Sequence, residues 1–365
     1  MSRFLISALA AVSLSPAFMT PAVALESSAG TLQVDTMISG LRGPWALAFL
    51  PDGGFLVTEK QGRLLLVRGG QAVSVGGLPD IYVEGQGGLL DVMVPRDFAT
   101  SREIFLTHAV SQGRSAGTAL TRAVLDIDAA QLTDVEQVFQ MVTDSRGGRH
   151  FGSRLVEGPQ GHIFMTMGER GDRPAAQDLS RHNGTVVRLN RDGSVPSDNP
   201  FVGVNGAQPE IWSYGHRNPQ GAAMDASGQL WVNEHGARGG DEVNRVRKGA
   251  NYGWPVIAYG RHYSGLKIGE GQQKDGMEQP AFYWDPSIAP SGMTFYSGTL
   301  GDWSGDAFVG SLKFDYIARL EGDTMAEVEQ LKSPETVRVR DVRTGPDGGL
   351  WFISEGNGAV YRVNQ

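Results

Sequence analysis

The 365-residue sequence contains no cysteine. Disulfide bonds, thiolate nucleophiles and thiolate-bound metals are therefore excluded. A catalytic metal would have to be bound by oxygen atoms or by imidazole. The acidic, oxygen-rich composition favours a hard cation such as calcium for that role.

Basic charge and long apolar runs are also scarce. Lys and Arg number 32 against 40 Asp and Glu, which gives a formal net charge of -8. Because the sequence has no basic patch, we expect no nucleic-acid partner. Beyond the N-terminus no stretch of about 20 apolar residues occurs, so we do not expect an integral membrane protein.

The N-terminus has the features of an export signal. An apolar run from Phe4 to Phe18 follows Arg3 and precedes Ala22-Val23-Ala24, the small-x-small pattern that signal peptidase cleaves. A membrane anchor is the alternative, but the run is too short to span a bilayer. We therefore expect residues 1–24 to be a cleaved signal peptide and the mature chain to begin at Leu25, in the periplasm or outside the cell.

Glycine is abundant, with 50 residues, about twice its usual share. The glycines mark a repeat in which two short apolar runs flank a turn of the Pro-Asp-Gly type, a pattern that predicts a β-hairpin. The clearest copies are residues 45–57 and 341–353; others are 154–164 and 221–231, with looser copies starting near Gly88 and Ser291.

Six hairpin units predict the fold. A spacing of about 55 residues between units indicates a repeat architecture. We expect an all-β protein in which residues 25–365 form one six-bladed β-propeller, with four antiparallel strands per blade. A β-sandwich followed by a second domain is the alternative, but it explains the repeat poorly. Residues 128–139 have a helix-like composition, which we interpret as a connection at a blade edge.

Candidate functional residues lie in the loops that interrupt the repeat. Gln86 is a lone amide among glycines, and a plain turn is the other interpretation. His150 stands between glycines before the third hairpin and could accept a proton near neutral pH, unless it is an ordinary surface histidine. Arg217 suits a carboxylate or a developing oxyanion, and the adjacent Asn218 can hydrogen-bond a carbonyl edge.

Two further segments carry charge. The loop at 233–243 holds Asp241 and Glu242 among glycines, which is either an oxygen cage for calcium or a plain loop. Arg338 and Arg340 are two apart on a predicted strand and share a face, near Lys313. Like charges on one face need an anion to neutralise them, either a ligand with several carboxylates or the acids Glu335 and Asp341.

Together with Glu234-His-Gly and the Gly-Ala-Asn-Tyr-Gly-Trp-Pro segment at 249–255, these residues resemble the soluble, pyrroloquinoline-quinone-dependent glucose and aldose sugar dehydrogenases. The resemblance covers most of the mature chain and is most specific from Tyr214 to Pro255. Residues 177–182 and 288–291 favour the aldose sugar dehydrogenase branch.

The resemblance implies oxidation of an aldose at its anomeric carbon, C1, to a lactone, by hydride transfer to bound pyrroloquinoline quinone; the electron acceptor stays open. It implies that His150 is the general base and that Gln86 positions the anomeric hydroxyl. Arg217 and calcium would stabilise charge on the reduced carbonyl oxygen. The implied cofactor contacts are Gln86, Arg217, Asn218, Tyr263, Lys313, Arg338 and Arg340.

The resemblance also implies two calcium ions. Backbone oxygens of Gly236 and Ala237 would bind the one at the quinone, and Asp241 or Glu242, near Tyr252, would bind a structural one. Arg149 departs from the glucose-specific branch, which has an acid there that touches sugar, so the preferred sugar is open. The alternatives are a calcium-dependent lactonase or esterase propeller and a non-enzymatic binding propeller, which would have no use for the aligned cations.

Overall fold

The computed structural model describes residues 23–322 and 324–365, which form six sheets of antiparallel strands around a central channel. The predicted signal peptide lies outside the described residues except for its last two. The chain begins with β1 (Val23–Ser27) and β2 (Gly30–Ile38). Among the described residues, helix is confined to α1 (Phe98–Ser101) and two 3₁₀ turns, Arg173–Gln177 and Pro334–Thr336. In this part of the chain no helix is long and apolar enough to cross a membrane.

The first three blades follow β2 in chain order. Blade 1 contains β3 (Pro44–Phe49), β4 (Phe55–Glu59), β5 (Arg63–Arg68) and β6 (Gln71–Val75). Blade 2 contains β7 (Leu89–Met93), β8 (Glu103–Gln112), β9 (Ser115–Asp126) and β10 (Gln131–Gln140). Blade 3 contains β11 (Leu155–Glu157), β12 (Ile163–Thr166), β13 (Thr185–Leu189) and β14 (Ile211–Tyr214).

The remaining strands complete the ring. Blade 4 contains β15 (Pro219–Met224), β16 (Leu230–Glu234), β17 (Asp241–Arg245) and β18 (Phe282–Trp284). Blade 5 contains β19 (Pro290–Phe295), β20 (Ala307–Ser311), β21 (Ile317–Leu320) and β22 (Glu327–Leu331). Blade 6 contains β23 (Val339–Thr344), β24 (Leu350–Ser354) and β25 (Ala359–Asn364).

The closing blade takes strands from both ends of the chain. Its order is β1-β2-β25-β24-β23, so β2 from the N-terminus is its fourth strand and β1 adds a fifth. The predicted six-bladed propeller with four-stranded blades is confirmed, with this one extra strand. All six predicted hairpins are the two innermost strands of a blade, and the two looser copies have longer connections between those strands.

The interpretation of residues 128–139 as a connection was wrong. They contain the end of a hairpin turn and most of β10, the outer strand of blade 2, which pairs with β9 from Gln131↔Asp126 to Gln140↔Ala119. Only one side of β10 is covered, and Thr133 to Gln137 are exposed. The polar residues that resemble a helix surface are therefore the solvent face of an edge strand.

The core lies in layers between neighbouring blades, and polar side chains join the same blades. In four blades the second strand has a buried side chain that donates a hydrogen bond to a carbonyl on, or just before, the first strand of the next blade, at 2.6 to 3.1 Å. These donors are Thr58, Thr107, Thr166 and Asn233. In blade 5 the position is Gly310, where an added Cβ would come within 2.5 Å of Ser291 Oγ, which itself donates to Val339 O at 2.6 Å.

Candidate active site

The loops at one end of the channel surround a cavity in two connected parts. The lower part is lined by Trp45, Gln220 and Arg340, and the upper part, of about 770 Å³, by His150 and Tyr263. This volume is in the range usual for small-molecule sites, about 300 to 1,000 Å³. The cavity is thus large enough for a cofactor and a small substrate together.

Arg154 closes the channel beneath this cavity. Its side chain is 1 % exposed and lies 3.3 Å from Asp91 and 3.1 Å from Asp341. Its guanidinium stacks over the Trp45 ring at 4.3 Å and donates to Gln220 O. Because these partners belong to the first strands of blades 1, 2, 4 and 6, the cavity is a cup that opens at one end.

His150 is paired with a buried acid at the rim of the cup. Its Nδ1 lies 2.6 Å from Glu169 Oε1, and the Glu169 side chain is only 1 % exposed. A carboxylate at Nδ1 favours the tautomer with the proton on Nδ1. The Nε2 lone pair is then left for a ligand in the cavity. Glu169 was not among the predicted site residues.

The backbone fixes His150 in place. His150 has φ of +57°, and its N–H donates to Gln86 Oε1 at 2.6 Å. An added Cβ at Gly168 would lie 2.1 Å from His150 O, so only glycine permits this close approach. Gln86 therefore joins His150 at the rim, and among the described residues its side-chain amide nitrogen has no hydrogen-bond partner.

Burial lowers the pKa of His150, and the nearby charges of Arg217 and Arg149 lower it further, whereas Glu169 acts in the opposite direction. The imidazole is therefore neutral near neutral pH, which is the state that can accept a proton.

Arg217 is buried at 5 % exposure, and its guanidinium has no carboxylate partner among the residues that the structure describes. Its backbone N–H donates to Glu234 Oε2 at 2.5 Å and its Nη1 donates to His235 O at 3.1 Å, whereas its Nε has no partner in the same part of the chain. The guanidinium lies over the Trp254 ring at 5.2 Å, and burial lowers the pKa of Arg217. A cation held in this way beside the cavity suits an anionic ligand.

Asn218 lies at the base of the cup. Its Oδ1 accepts from Gly152 N at 3.2 Å and from Gln220 Nε2 at 3.3 Å. Gln220 Oε1 in turn accepts from Arg340 at 3.3 Å. The amide NH₂ of Asn218 keeps its donors for the cavity, where a carbonyl edge could accept from them.

Arg338 and Arg340 both line the cup, but a different acid neutralises them. Arg338 lies before β23 with φ of +53°, not on the strand as predicted. Glu355 lies 3.3 Å from Arg338 and 2.6 Å from Arg340, whereas Asp341 pairs with Arg154 and Arg343. The alternative pairing with Glu335 and Asp341 was therefore wrong. Because one carboxylate faces two guanidiniums, one positive charge is not neutralised and could attract an anionic ligand.

Two more predicted cofactor contacts line the upper part of the cavity. Lys313 is exposed, with Nζ 4.8 Å from the Phe314 ring centre, and Tyr263 is 71 % exposed.

The loop after β16 has the predicted backbone oxygens. An added Cβ at Gly236 would lie 2.1 Å from Gly239 O, so the loop folds tightly on itself. Gly236 and Ala237 line the cavity, and no hydrogen bond reaches their carbonyl oxygens within the described ranges. Uncommitted carbonyl oxygens on a tight loop are ligands that calcium accepts.

The two acids of this loop have different roles. Asp241 accepts from Gly236 N, Ala289 N and Ser287 Oγ at 2.7 to 2.9 Å, so its carboxylate ties loops together. Glu242 faces a small separate cavity, and burial together with the charge of Glu234 raises the pKa of Glu242 to about 8. Of the two acids, Glu242 is the one with an oxygen free for a cation.

Tyr252 lines the same small cavity as Glu242. Its hydroxyl donates to Arg245 O at 2.5 Å and accepts from Arg247 N at 2.9 Å. Only its backbone carbonyl is left for a metal. No group of three or more acids or histidines suited to a metal occurs among the described residues, so a calcium site here needs such backbone oxygens.

The fold and the cup define a propeller whose channel mouth combines a neutral histidine, a buried acid and cations. The sequence model of the glucose/sorbosone dehydrogenase family matches residues 41–362. The chain belongs to this family of oxidoreductases.

Named relatives agree with this assignment. The chain is 44 % identical to aldose sugar dehydrogenase YliI of Escherichia coli K12, over 95 % of this chain and 98 % of that protein. The crystal structure of the soluble E. coli aldose sugar dehydrogenase in its apo form has a TM-score of 0.88 at 43 % identity, over 92 % and 99 % of the two chains. The PQQ-bound aldose sugar dehydrogenase of Streptomyces coelicolor has a TM-score of 0.75 at 27 % identity, over 91 % and 98 %.

Proposed function

We propose that the protein oxidises aldose sugars at C1 to lactones, with pyrroloquinoline quinone as its bound cofactor. The observation that carries this proposal is that His150, paired with Glu169, and cations suited to a tricarboxylate converge on one cup. The PQQ-bound relative and the E. coli aldose sugar dehydrogenase support the same cofactor and substrate class.

The residues present fit the quinone. Lys313, Arg338 and Arg340 would bind its carboxylates and oxygens, and Asn218 would donate its free amide hydrogens to the ring edge. When bound, the quinone supplies the acceptor for the hydride from C1. Gln86, Arg217 and Tyr263 would contact it from the upper part of the cavity.

His150 would move the proton. Its Nε2 accepts the proton of the anomeric hydroxyl, and the Glu169 carboxylate stabilises the imidazolium that forms. Gln86 Nε2 would orient the same hydroxyl, because its Oε1 is committed to the His150 N–H. Arg217 would stabilise negative charge that develops at the oxygen being reduced.

The residues also fit calcium. We propose that the carbonyl oxygens of Gly236 and Ala237 bind one ion at the cofactor, and that Glu242 and the Tyr252 carbonyl bind a structural ion. A bound cation would relieve the repulsion between the buried Glu234 and Glu242 carboxylates. Calcium should raise the melting temperature of the parent, and less so that of Glu242→Gln. An equal rise in both would exclude Glu242 as a ligand.

The function is tested by adding quinone with calcium to the purified protein. We expect a change in quinone absorbance and sugar-dependent reduction of a redox dye. Arg340→Ala should weaken quinone binding by about 2 to 4 kcal/mol, as calorimetry would measure, because it removes a charge-assisted contact. Hydrolysis of lactones without quinone would instead indicate the lactonase alternative.

We also propose that the protein is exported and that its signal peptide is cleaved after Ala24. Leu25 is 1 % exposed and packs in the cluster that contains Trp303 and Phe308. Cleavage at this bond would therefore keep the buried anchor of β1. Mass spectrometry of the exported protein should give Leu25 as its first residue, and an uncleaved N-terminus would contradict the proposal.

A further inference from the structure

A second cleft lies beside His150 and is not needed by the cofactor. It is lined by the chain segment that leads to His150, including Arg146 and Arg149, and by Gly171 and Asp172 opposite. Arg149 lies across Gly171, with its Nε 2.8 Å from where a Cβ of that glycine would be. A side chain at position 171 would therefore displace this guanidinium.

The two arginines of this cleft are not neutralised by the protein. Arg146 and Arg149 are exposed, and neither has a carboxylate within 4.0 Å in the part of the chain that the structure describes. The acids nearby, Asp144 and Asp172, lie 2.5 and 3.5 Å from Arg181 instead. Two unpaired guanidiniums that line one cleft repel each other, and a bound anion would reduce that repulsion.

The backbone adds to the positive character of the cleft. Arg170, fully buried, donates to the carbonyl oxygens of Gly147 and Arg149, and Gln86 N donates to Gly148 O at 2.8 Å. All three carbonyls are thus occupied from inside the protein. Within the described residues no acceptor bonds the N–H groups of these three residues. Free N–H groups beside guanidiniums form a surface that binds oxyanions.

The position of the cleft indicates whether the quinone or the sugar would supply the anionic group that it binds. The predicted quinone contacts Lys313, Arg338 and Arg340 line the cup, whereas Arg146 and Arg149 do not. Arg149 is adjacent to His150 in sequence, and its charge is close enough to act on the imidazole, so the cleft adjoins the place where C1 of a sugar would react. The chain as a whole has a net charge of -8, which repels anions. An anion would therefore be attracted to this cleft by its local cations and not by the overall charge.

We propose that this cleft is a subsite for an anionic group of the sugar, so that the preferred substrates are aldoses bearing a carboxylate or a phosphate away from C1. The inference rests on the proposed function. The oxidation is the same as for a neutral aldose: hydride leaves C1 for the quinone, the O1 proton goes to His150, and the anionic group is unchanged.

The test compares kcat/KM of the quinone-loaded enzyme for D-glucuronate, glucose 6-phosphate and glucose. We expect at least one anionic sugar to be preferred over glucose by about tenfold at low salt, with the preference falling as salt rises. A preference for glucuronate would indicate a site for a carboxylate, and a preference for glucose 6-phosphate would indicate a site for a phosphoryl group. The double variant Arg146→Gln/Arg149→Gln should abolish the preference. If Arg149 is replaced by Lys instead of Gln in that variant, part of the preference should remain.

Arg245→Gln is the matched control, because Arg245 is exposed and lies at the far end of β17 from the cup. It should keep the preference of the parent. Calorimetry of glucuronate and inorganic phosphate with the quinone-free protein gives a readout without turnover; we expect binding in the parent and in Arg245→Gln, and a loss of about tenfold in the double variant.

The two proposals fail in different ways. If glucose is oxidised with no anion preference, or if the double variant keeps the preference, the subsite is refuted and the dehydrogenase stands. If none of the three sugars is oxidised by quinone-loaded protein, the proposed function itself is refuted.

Discussion

His150 and Glu169 are 19 residues apart in sequence, yet their side chains are in close contact at the proposed reaction centre, at 2.6 Å. Burial and this pair together explain why the histidine is neutral and still oriented. Burial removes the proton, and the carboxylate holds Nδ1–H so that Nε2 is directed away from it. The same carboxylate then stabilises the imidazolium when the proton arrives.

We predict that His150→Ala lowers kcat by at least about a hundredfold while quinone binding is kept, because general-base catalysis is lost. The proton moves only in the transition state, so kcat and kcat/KM should fall together. In the parent, activity should rise with pH through a midpoint below 6.5, since burial lowers the pKa of His150 and the neutral form is the active one. Near-parental dye reduction at saturating sugar would show that another group is the base.

Glu169→Gln should lower kcat by about ten- to a hundredfold, because the amide can accept the Nδ1–H bond but cannot stabilise the imidazolium. Glu169 raises the pKa of His150, so its neutralisation should also move the acid limb of the pH profile to lower pH. A purely structural role would not move that limb. Glu84→Gln, which removes an exposed acid of the Gln86 loop, is the control and should leave the profile in place.

The residue types in the sequence indicated the chemistry of the site but did not indicate the contacts between its residues. Gln86, His150 and Arg217 stand out in the sequence because glycines or a rare residue order surround them. Glu169 and Glu355 also stand next to glycines, but nothing in the sequence indicates their partners, because each meets its partner only where two loops from different strand ends converge on the cup. Such distant pairs cannot be derived from local pattern.

At the scale of elements, the joints between successive blades, from blade 1 to blade 6, combine apolar layers with a buried hydroxyl or amide. Thr58 is fully buried; it donates to Leu90 O at 2.6 Å and accepts from Ala46 N at 3.0 Å. The hydroxyl thus satisfies groups on the first strands of two successive blades. This gives the packing of blade 1 against blade 2 a defined register.

Thr58→Val should destabilise the protein by about 1 to 3 kcal/mol, because the same-shaped side chain leaves a buried carbonyl and a buried N–H without partners. Urea denaturation of the quinone-free protein would measure this. Thr133→Val, on the exposed face of β10, keeps the chemistry of the change without the burial and should be nearly neutral. Equal midpoints for the two variants would show that the hydroxyl contributes nothing.

The inner strands were predictable and the outer ones were not, for a physical reason. The first two strands are largely buried on both faces, and in every blade but the second a turn with glycine joins them, so their sequence is constrained. An outer strand such as β10 needs only one apolar face, and bulges interrupt its alternation at Thr133/Glu136 and Gln137/Phe139. The sequence of β10 therefore lacks the regular alternation that would predict a strand.

At the scale of the whole molecule, a ring of six blades is closed by one strand. β2 pairs with β25 from Gln33↔Asn364 to Ile38↔Val360, so the N-terminal segment completes the blade that the C-terminus begins. Leu32 and Val34 on β2 are buried in the same cluster as Phe352 and Val363. The two ends of the chain thus depend on each other, although the hairpin repeat in the sequence includes neither β2 nor β25.

We predict a graded loss of stability as the N-terminal strands are removed. A chain starting at Leu25 should match the described fold, whereas a start at Gly30 removes β1 and the buried Leu25, at a cost of about 1.5 to 3 kcal/mol. A start at Ser39 removes β2 as well, which uncovers the β25 edge and the apolar face beneath it, so this chain should aggregate or fail to fold. Circular dichroism melts and gel filtration of the three chains would measure the series. If the chain starting at Ser39 melts like the one starting at Leu25, closure by β2 is not what holds the ring together, because the other five blades would then be stable without it.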